Sequence, residues 1–168
     1  MNELINMVAL CAAFTDPSFF MSKSKASRTC DLMPVVISEA KKNNIDPFLL
    51  IGLISTESSW EPSVVSHANA CGLTQVVPRF TGGPTTGGVK YTCEELKDPN
   101  TSIRVGAQTL AWWVNQYGNG DIATGLCGYF SGFRCKPELN KLGEAYYKKV
   151  LAQKQKVTVI YSKFKNNN

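Results

Sequence analysis

The sequence predicts a mainly α-helical fold, arranged as one compact domain with little or no β-sheet. The chain has 168 residues, of which 43% are hydrophobic and 18% charged, so it can bury one core and carries too little charge for a disordered coil. Helix signals, namely apolar residues at helical spacing between capping residues, dominate the chain. No repeat, low-complexity linker or domain boundary interrupts them.

Residues 1–24 are predicted to belong to the folded protein as a helix and a loop. The apolar stretch from Ile5 to Phe14 is about half of the roughly 20 residues that a membrane-spanning helix needs, so no stable membrane insertion is expected. Glu3 precedes this stretch and no Lys or Arg does, which is unlike a signal peptide. We therefore expect export, if it occurs, to use another route.

The next segments predict two helices in succession. Asp31 and Pro34 indicate the start of a short helix that stops at the two asparagines after Lys42. Asp46 then predicts the N-cap of a second helix, with Pro47 at its first position. Because this second helix is almost wholly apolar, it must lie in the core.

Further along, residues 78–89 interleave glycine, proline and threonine and predict a surface loop or a small hairpin. Apolar residues then recur at helical spacing over 103–117, and shorter patterns predict helices over 121–130 and 138–155. Residues 157–164 are predicted either to continue the last helix or to form a strand.

The six cysteines favour disulfides over a metal site. No Cys-x-x-Cys spacing occurs, and the single histidine, His67, cannot complete a zinc set of usual spacing. No metal and no cofactor are therefore expected. An even count of cysteines suits three disulfides in an oxidising compartment, with free buried thiols as the alternative. The favoured pairs join Cys127 to Cys135, Cys71 to Cys93 and, by remainder, Cys11 to Cys30.

The formal charge of +5, with lysines concentrated in the last third, indicates an anionic partner. Nucleic acid, anionic lipid and bacterial wall polymer would all suit this charge, and so would a merely solvated helix face. No recognised nucleic-acid-binding motif accompanies the basic residues, so nucleic acid is not an expected partner.

Glu57 is the most informative residue, because it is a carboxylate at the C-terminal end of the apolar helix. Burial and the negative end of the helix dipole both favour its neutral form. Such an acid can give a proton to the leaving oxygen of a glycosidic bond. The alternative is a glutamate that simply faces water.

A motif in two parts surrounds Glu57. It consists of residues 57–62 (ESSWEP), Ser66 and residues 70–78 (ACGLTQVVP). In order and spacing it resembles the signature of the soluble lytic transglycosylase family, which is related to goose-type lysozymes. Residues 98–100 (DPN) and 128–132 (GYFSG) also resemble family segments.

The resemblance implies a lysozyme-like fold, with residues 1–168 as one transglycosylase-type catalytic domain and residues 1–30 as its N-terminal extension. It implies Glu57 as the catalytic acid and Tyr129 as the group that hydrogen-bonds and orients its carboxyl. Further expected site residues are Ser66 and Gln75 lining the glycan cleft, Gly72 at a tight backbone approach to a sugar or another helix, and Trp60 either walling the site or packing in the core.

This chain departs from the family pattern at two positions, where Thr74 replaces the usual Met and Phe130 the usual Asn. The acids of the chain bear on the mechanism. No Asp or Glu occurs between Pro62 and Cys93, where goose-type relatives offer a second carboxylate. That absence favours a single-acid mechanism in which Glu57 acts first as acid and then as base, forming 1,6-anhydromuramic acid ends. Candidates for a second acid, which would permit hydrolysis, are Glu94, Glu95, Asp98 and Asp121.

We therefore predict a monomeric enzyme that cleaves the glycan strands of peptidoglycan in the bacterial periplasm or cell wall. The alternatives are a lysozyme-type hydrolase, a wall endopeptidase and a non-catalytic glycan-binding module. The absence of a persuasive signal peptide and of a wall-anchoring domain favours a bacteriophage lysin for lysis or wall penetration, with virion association and other virion proteins as partners.

Overall fold

The protein is described by a computed structural model over residues 4–166, in which the regular structure is helical. Of the predicted domain, residues 1–3 and 167–168 lie outside this description. The α-helices of the described part are α1 Met7–Ala13, α2 Lys23–Lys42, α3 Pro47–Glu57, α4 Cys93–Lys97, α5 Pro99–Ala111, α6 Ile122–Ser131 and α7 Lys141–Asn166. Extended pairing over residues 4–166 is limited to two isolated bridges, from Cys71 to Val65 and to Val76. The prediction of a mainly α fold with little or no sheet is therefore confirmed.

Helix α3 forms the centre of the core. The Asp46 side chain accepts a hydrogen bond from the Phe48 backbone N–H, and Pro47 occupies the first turn, as the sequence predicts. The six residues 49–54 that follow are all buried. Because the helix has no polar face to turn towards water, it is surrounded by protein and delivers Glu57 to the edge of the core.

Helix α7 packs along α3 and also against α1 and α6. The two helices cross closely at Gly52, where an added Cβ would lie 2.8 Å from the Val150 carbonyl oxygen and 2.9 Å from the Lys154 backbone nitrogen. Helix α7 runs without a break through residues 157–164, so the helical alternative is confirmed for this segment and the strand alternative is wrong. The last third of the chain thus lies against the helix that carries Glu57.

Helix α2 begins earlier than the sequence predicts. Its first residue is Lys23, and the Ser22 side chain caps it by accepting from the Lys25 N–H. Pro34, predicted near the start, lies inside the helix. Proline removes one backbone donor and crowds the preceding turn. Pro34 itself is exposed, while Met33 and Thr29 of the preceding turn are buried, and helix α2 continues through the proline.

The second half of the fold follows the predicted order of helices. Asp98 caps α5, and the helical run extends through a π-helical segment, Trp112–Tyr117, before Gly118. Asp121 caps α6. The predicted loop at residues 78–89 contains two single 3-10 turns, Pro78–Phe80 and Pro84–Thr86.

Three disulfides connect neighbouring segments, and all three predicted pairings are confirmed. One ties α1 to α2, one ties the segment after Glu57 to the start of α4, and one closes the loop after α6; they join Cys11 to Cys30, Cys71 to Cys93 and Cys127 to Cys135. Separately, no helix within residues 4–166 combines the length and apolar character that crossing a bilayer requires.

Candidate active site

Glu57, the last residue of α3, is a carboxyl group with a strongly shifted pKa. Burial raises its pKa from 4.5 to about 7, while a hydrogen bond from Tyr146 and the charge of Lys149 act in the opposite direction. Both neighbours come from α7. The carboxyl is therefore neutral in weakly acidic solution and can lose its proton near neutral pH, as a group that serves as both acid and base requires.

Tyr146 on α7 holds the Glu57 carboxyl by donating its hydroxyl hydrogen to Oε1. Burial and the nearby Glu57 carboxyl raise the pKa of Tyr146 well above its ordinary value, so the phenol stays protonated and remains a donor. The sequence analysis did not identify this residue. The sequence feature that could have identified Tyr146 is its helical spacing to Val150, which places both residues on the buried face of α7.

Tyr129 does not make the predicted hydrogen bond to Glu57, and that prediction is wrong in geometry. Its hydroxyl donates to the Thr74 carbonyl oxygen at 2.7 Å. Tyr129 is nevertheless close to the acid, because burial first and the Glu57 charge second raise its pKa well above the ordinary value. Tyr129 therefore links α6 to the segment after α3. The hydrogen bond to the carboxyl that was predicted for Tyr129 is made by Tyr146.

Trp60 lies in the core beside the acid. Its backbone and that of Ser59 adopt left-handed conformations, with φ of 64° and 49°, which residues other than glycine seldom do. The indole Nε1 donates to Ser55 Oγ at 2.9 Å, the ring packs edge-on against Phe14, and the residue is 5% exposed. Of the two predicted roles, the structure shows the core role for Trp60.

Residues 61–78, here called the motif loop, are held together by their own polar groups. Gln75 has a φ of 52° and donates its side-chain amide to the carbonyl oxygens of Val64 and Gly72 at 3.0 and 2.9 Å. The Ser66 hydroxyl accepts from the Ala70 N–H at 3.1 Å. Both side chains are only partly buried, and their contact with a glycan stays a prediction.

Gly72 has a packing role in the motif loop. Its φ is 78°, and an added Cβ would lie 1.8 Å from the Leu96 carbonyl oxygen. Only glycine fits there, because a side chain would collide with the backbone of α4. The positive φ of residue 72 also disfavours any residue with a Cβ. Of the two close approaches predicted for Gly72, the structure shows the one to a helix.

The remaining candidate carboxylates are engaged at helix ends. Asp98 and Asp121 accept from the backbone N–H groups of the first turns of α5 and α6, at 2.8 Å each. Glu95 forms a capping box with Thr92, and Glu94 pairs with Lys97 at 2.7 Å. None of these four carboxylates contributes to the pKa of Glu57. Over residues 4–166 no group of three or more His, Cys, Asp or Glu could hold a metal ion.

Comparison with known proteins matches residues 34–151 to the transglycosylase SLT domain family, and this match covers more than half of the chain. The chain belongs to the transglycosylase SLT domain family. The matched range includes Glu57, the motif loop, Tyr129 and Tyr146, so every element of the candidate site lies inside the SLT domain.

Curated relatives of this SLT domain are named membrane-bound lytic murein transglycosylase C. The one from Haemophilus influenzae (strain PittEE) is 38% identical over 93 residues, which span 52% of this chain and 26% of the relative. The one from Actinobacillus pleuropneumoniae serotype 5b is 46% identical over 55 residues, 33% of this chain and 15% of the relative. The matches thus span about a quarter or less of the length of these relatives.

Solved structures share the fold of the SLT domain. The 70 kDa soluble lytic transglycosylase of Escherichia coli has a TM-score of 0.65 at 19% identity, covering 89% of this chain and 29% of that one. An inactive mutant of the lytic transglycosylase Slt of Pseudomonas aeruginosa, with a glutamate changed to glutamine, has a TM-score of 0.63 at 22% identity, covering 79% and 24%.

One departure from the family pattern lies in the protein interior. Thr74, at the position of the usual Met, is fully buried and hydrogen-bonds the Ser102 carbonyl oxygen at 2.9 Å. Its side chain occupies the space that an added Cβ at Gly106 would need. Thr74 in this SLT domain therefore fixes the motif loop to α5.

Proposed function

We propose that this chain cleaves the glycosidic bond between N-acetylmuramic acid and N-acetylglucosamine in peptidoglycan, with Glu57 as general acid and then general base. The observation that carries the proposal is the Glu57 carboxyl itself, half-buried at the end of an apolar helix with a pKa raised to about 7 and a phenol donor on one oxygen. The family match, the names of the relatives and the inactive glutamate-to-glutamine mutant of the Pseudomonas protein support it.

In the first step, neutral Glu57 gives its proton to the glycosidic oxygen as the bond from that oxygen to C1 of the muramic acid breaks. The Tyr146 hydroxyl donates to Oε1, so the proton is carried by the other oxygen, Oε2. As the proton leaves, the same hydrogen bond stabilises the carboxylate that forms. Positive charge develops at C1 while the departing sugar keeps the transferred proton.

In the second step, the Glu57 carboxylate removes the proton from the 6-hydroxyl of the same muramic acid while that oxygen attacks C1. A 1,6-anhydro ring forms and Glu57 returns to its neutral state, so no water is consumed. A pKa near neutrality suits both half-reactions, since the group must give and then take a proton at the same pH. The engagement of the four other candidate carboxylates at helix ends supports this single-acid route.

The bacterial cell wall is the proposed place of action. Three disulfides suit an oxidising compartment, and the charge of +5 suits an anionic wall polymer. Use by a bacteriophage, association with virion proteins and the monomeric state stay predictions from the sequence. Peptide mass fingerprinting of purified virions and light scattering of the isolated chain would test them.

Digestion of purified peptidoglycan, with mass spectrometry of the soluble fragments, tests the reaction. We expect fragments about 18 Da lighter than hydrated muramic acid ends, the mass of one water. Hydrated reducing ends would replace this mechanism with a lysozyme-type hydrolysis. Intact glycan with new peptide termini would overturn the bond assignment.

Glu57→Gln is the matching variant, because the amide keeps the shape of the neutral acid and has no transferable proton. We expect fragment release to fall by about two to four orders of magnitude with folding unchanged. Glu61→Gln, the same chemical change at the nearest acid in the motif loop, is the control and should retain activity. Substantial activity of the Glu57→Gln variant would remove this residue from the mechanism.

A further inference from the structure

Phe130, in the last turn of α6, is a partly exposed aromatic residue next to the tyrosine that holds the acid. Its ring stacks on that of Tyr146, with centroids 4.7 Å apart and planes inclined by only 19°. Although Tyr146 covers one face of the ring, 47% of the Phe130 surface is exposed. The exposed surface therefore lies away from the face that is stacked on Tyr146.

The position of this ring distinguishes it from other exposed apolar side chains. Isolated hydrophobic residues on a protein surface are common and carry no meaning by themselves. Phe130, however, is stacked on the tyrosine whose hydroxyl donates to Glu57 Oε1. Its ring consequently lies within roughly 10 Å of the carboxyl. Sugars next to a scissile bond at Glu57 would be within reach of a ring at this distance.

We propose that the exposed side of the Phe130 ring is a platform for a sugar ring of the bound glycan strand, adjacent to the scissile bond. A pyranose ring presents C–H groups on its face, and the electron-rich face of an aromatic ring favours such contacts while excluding water. The buried Tyr146 supports the platform from below and fixes its plane relative to Glu57. This inference rests on the proposed function and adds to it a residue that determines specificity.

Phe130 replaces the usual Asn of the family pattern, and this replacement changes how a sugar would be bound at this position. An asparagine at this position would offer amide hydrogen bonds, whereas Phe130 offers only an apolar surface. Binding at this subsite should therefore depend on the shape and the C–H face of the sugar, and little on salt. A contrasting role, in which Phe130 merely holds Tyr146 against the acid, would require no contact with ligand at all.

Kinetics on soluble, uncross-linked glycan strands separate these two roles. We expect Phe130→Ala to raise KM about tenfold with a smaller change in kcat. This is the loss of affinity expected when the sugar no longer covers about half of an aromatic side chain. Phe130→Trp, which keeps an aromatic face, should keep KM within about threefold of the parent. Phe20→Ala, which removes a 95% exposed phenylalanine without contact to Glu57 or Tyr146, is the control. A fall in kcat with a displaced pH profile and an unchanged KM would overturn the platform.

Direct binding tests the platform without turnover. In the Glu57→Gln background, Phe130→Trp adds an indole at the subsite to the three tryptophans of the chain. Soluble glycan strands should shift the emission of this double variant to shorter wavelength by more than they shift that of Glu57→Gln alone. Isothermal titration should show Kd about tenfold weaker for Glu57→Gln with Phe130→Ala than for Glu57→Gln alone. An emission shift at saturating glycan no larger than that of Glu57→Gln alone, together with an unchanged Kd, would overturn the inference.

The two readouts also separate this inference from the proposed function. If the chain cleaves no glycan yet loses glycan binding on Phe130→Ala, the proposed function fails and the platform stands. If the chain releases anhydro ends at full rate and with unchanged KM after Phe130→Ala, the proposed function stands and the platform fails.

Discussion

At the scale of single residues, the proposed chemistry of this protein depends on how Glu57 is surrounded. One carboxyl is buried enough to hold a proton near neutrality and receives one hydrogen bond from Tyr146. Burial and the hydrogen bond act in opposite directions on the same pKa, and burial has the larger effect. One prediction follows from the titration of the acid and a second from the hydrogen bond.

The first concerns stability and pH. The folded chain holds the Glu57 proton up to about pH 7, whereas an ordinary glutamate releases it at about 4.5. The protonated Glu57 therefore adds to the free energy of unfolding. This contribution, about 3 kcal/mol, is fully present below the pKa of Glu57 in the unfolded chain and is lost as pH rises through its pKa in the folded chain. Glu57→Gln cannot titrate. Measured by urea unfolding, the free energy of unfolding of this variant should increase relative to that of the parent as pH rises from about 4 to about 8. A constant difference would contradict the pKa shift.

The second concerns Tyr146→Phe, which removes the donor to Glu57 and keeps the ring. Since the hydrogen bond lowers the pKa of Glu57, its loss raises that pKa, and the alkaline limb of the kcat/KM profile should move to higher pH. The forming carboxylate also loses a donor, so kcat near neutral pH should fall about tenfold. Tyr147→Phe, on the next position of α7 and without contact to Glu57, is the control. An unmoved alkaline limb would argue against this hydrogen bond.

At the scale of helices, the site depends on the close crossing of α3 and α7. Gly52 permits it, because the nearest atoms to an added Cβ are backbone atoms of α7 at 2.8 and 2.9 Å. Backbone atoms cannot rotate away as a flexible side chain can. The separation of the two helices, and with it the approach of Tyr146 to Glu57, is therefore set by the absence of a side chain.

Gly52→Ala should accordingly destabilise the protein by about 2 kcal/mol, although alanine favours helices more than glycine does. Gly83→Ala is the matched control, since an added Cβ there meets nothing within 4 Å and should change stability by less than about 0.5 kcal/mol. Urea unfolding of the three proteins measures both effects. A Gly52→Ala variant as stable as the parent would mean that α7 can move away without cost.

Local signals account for the helices that were predicted correctly. Asp46 with Pro47, Asp98 and Asp121 are capping residues directly before apolar runs, and each begins a helix as expected. Pro34 misled because proline at a helix start and proline on an exposed helix face look alike in sequence. The distinction depends on the surroundings of the preceding turn. It is set by tertiary packing, which no local pattern contains.

The site shows the same division. Glu57 was predictable because its own helix determines both its burial and its place at the helix end. The exchange of Tyr129 for Tyr146 was not, since either phenol lies near the acid and only the packing of α6 and α7 decides which one points at it. For Gly72 and Trp60 the sequence allowed either a role at the site or a role in packing, and the structure shows the packing role for both.

At the scale of the whole molecule, disulfides fix the relative places of neighbouring segments. The bond between Cys71 and Cys93 joins the motif loop to α4, and the bond between Cys11 and Cys30 joins α1 to α2. Their sequence separations, 22 and 19 residues, are nearly equal. The two bonds should therefore contribute similarly to stability and differently to activity.

Paired alanine variants test this contrast. Removing either bond should lower the free energy of unfolding by about 3 kcal/mol. At a temperature where both variants remain folded, loss of the bond between Cys71 and Cys93 should slow glycan release, because it frees the motif loop beside Glu57. Loss of the bond between Cys11 and Cys30 should leave the rate unchanged. Equal rates in the two variants would show that the loop keeps its shape without the bond.

The hydrogen bond between Tyr146 and Glu57 joins residues 89 positions apart in the chain. During synthesis the ribosome releases the acid long before its phenol partner, so a nascent chain carries Glu57 without the helix that buries and holds it. Glu57 acquires its hydrogen-bonded state only when α7 docks. Return of enzymatic turnover during refolding should therefore lag behind the return of helical signal, and catalysis would report the completion of folding.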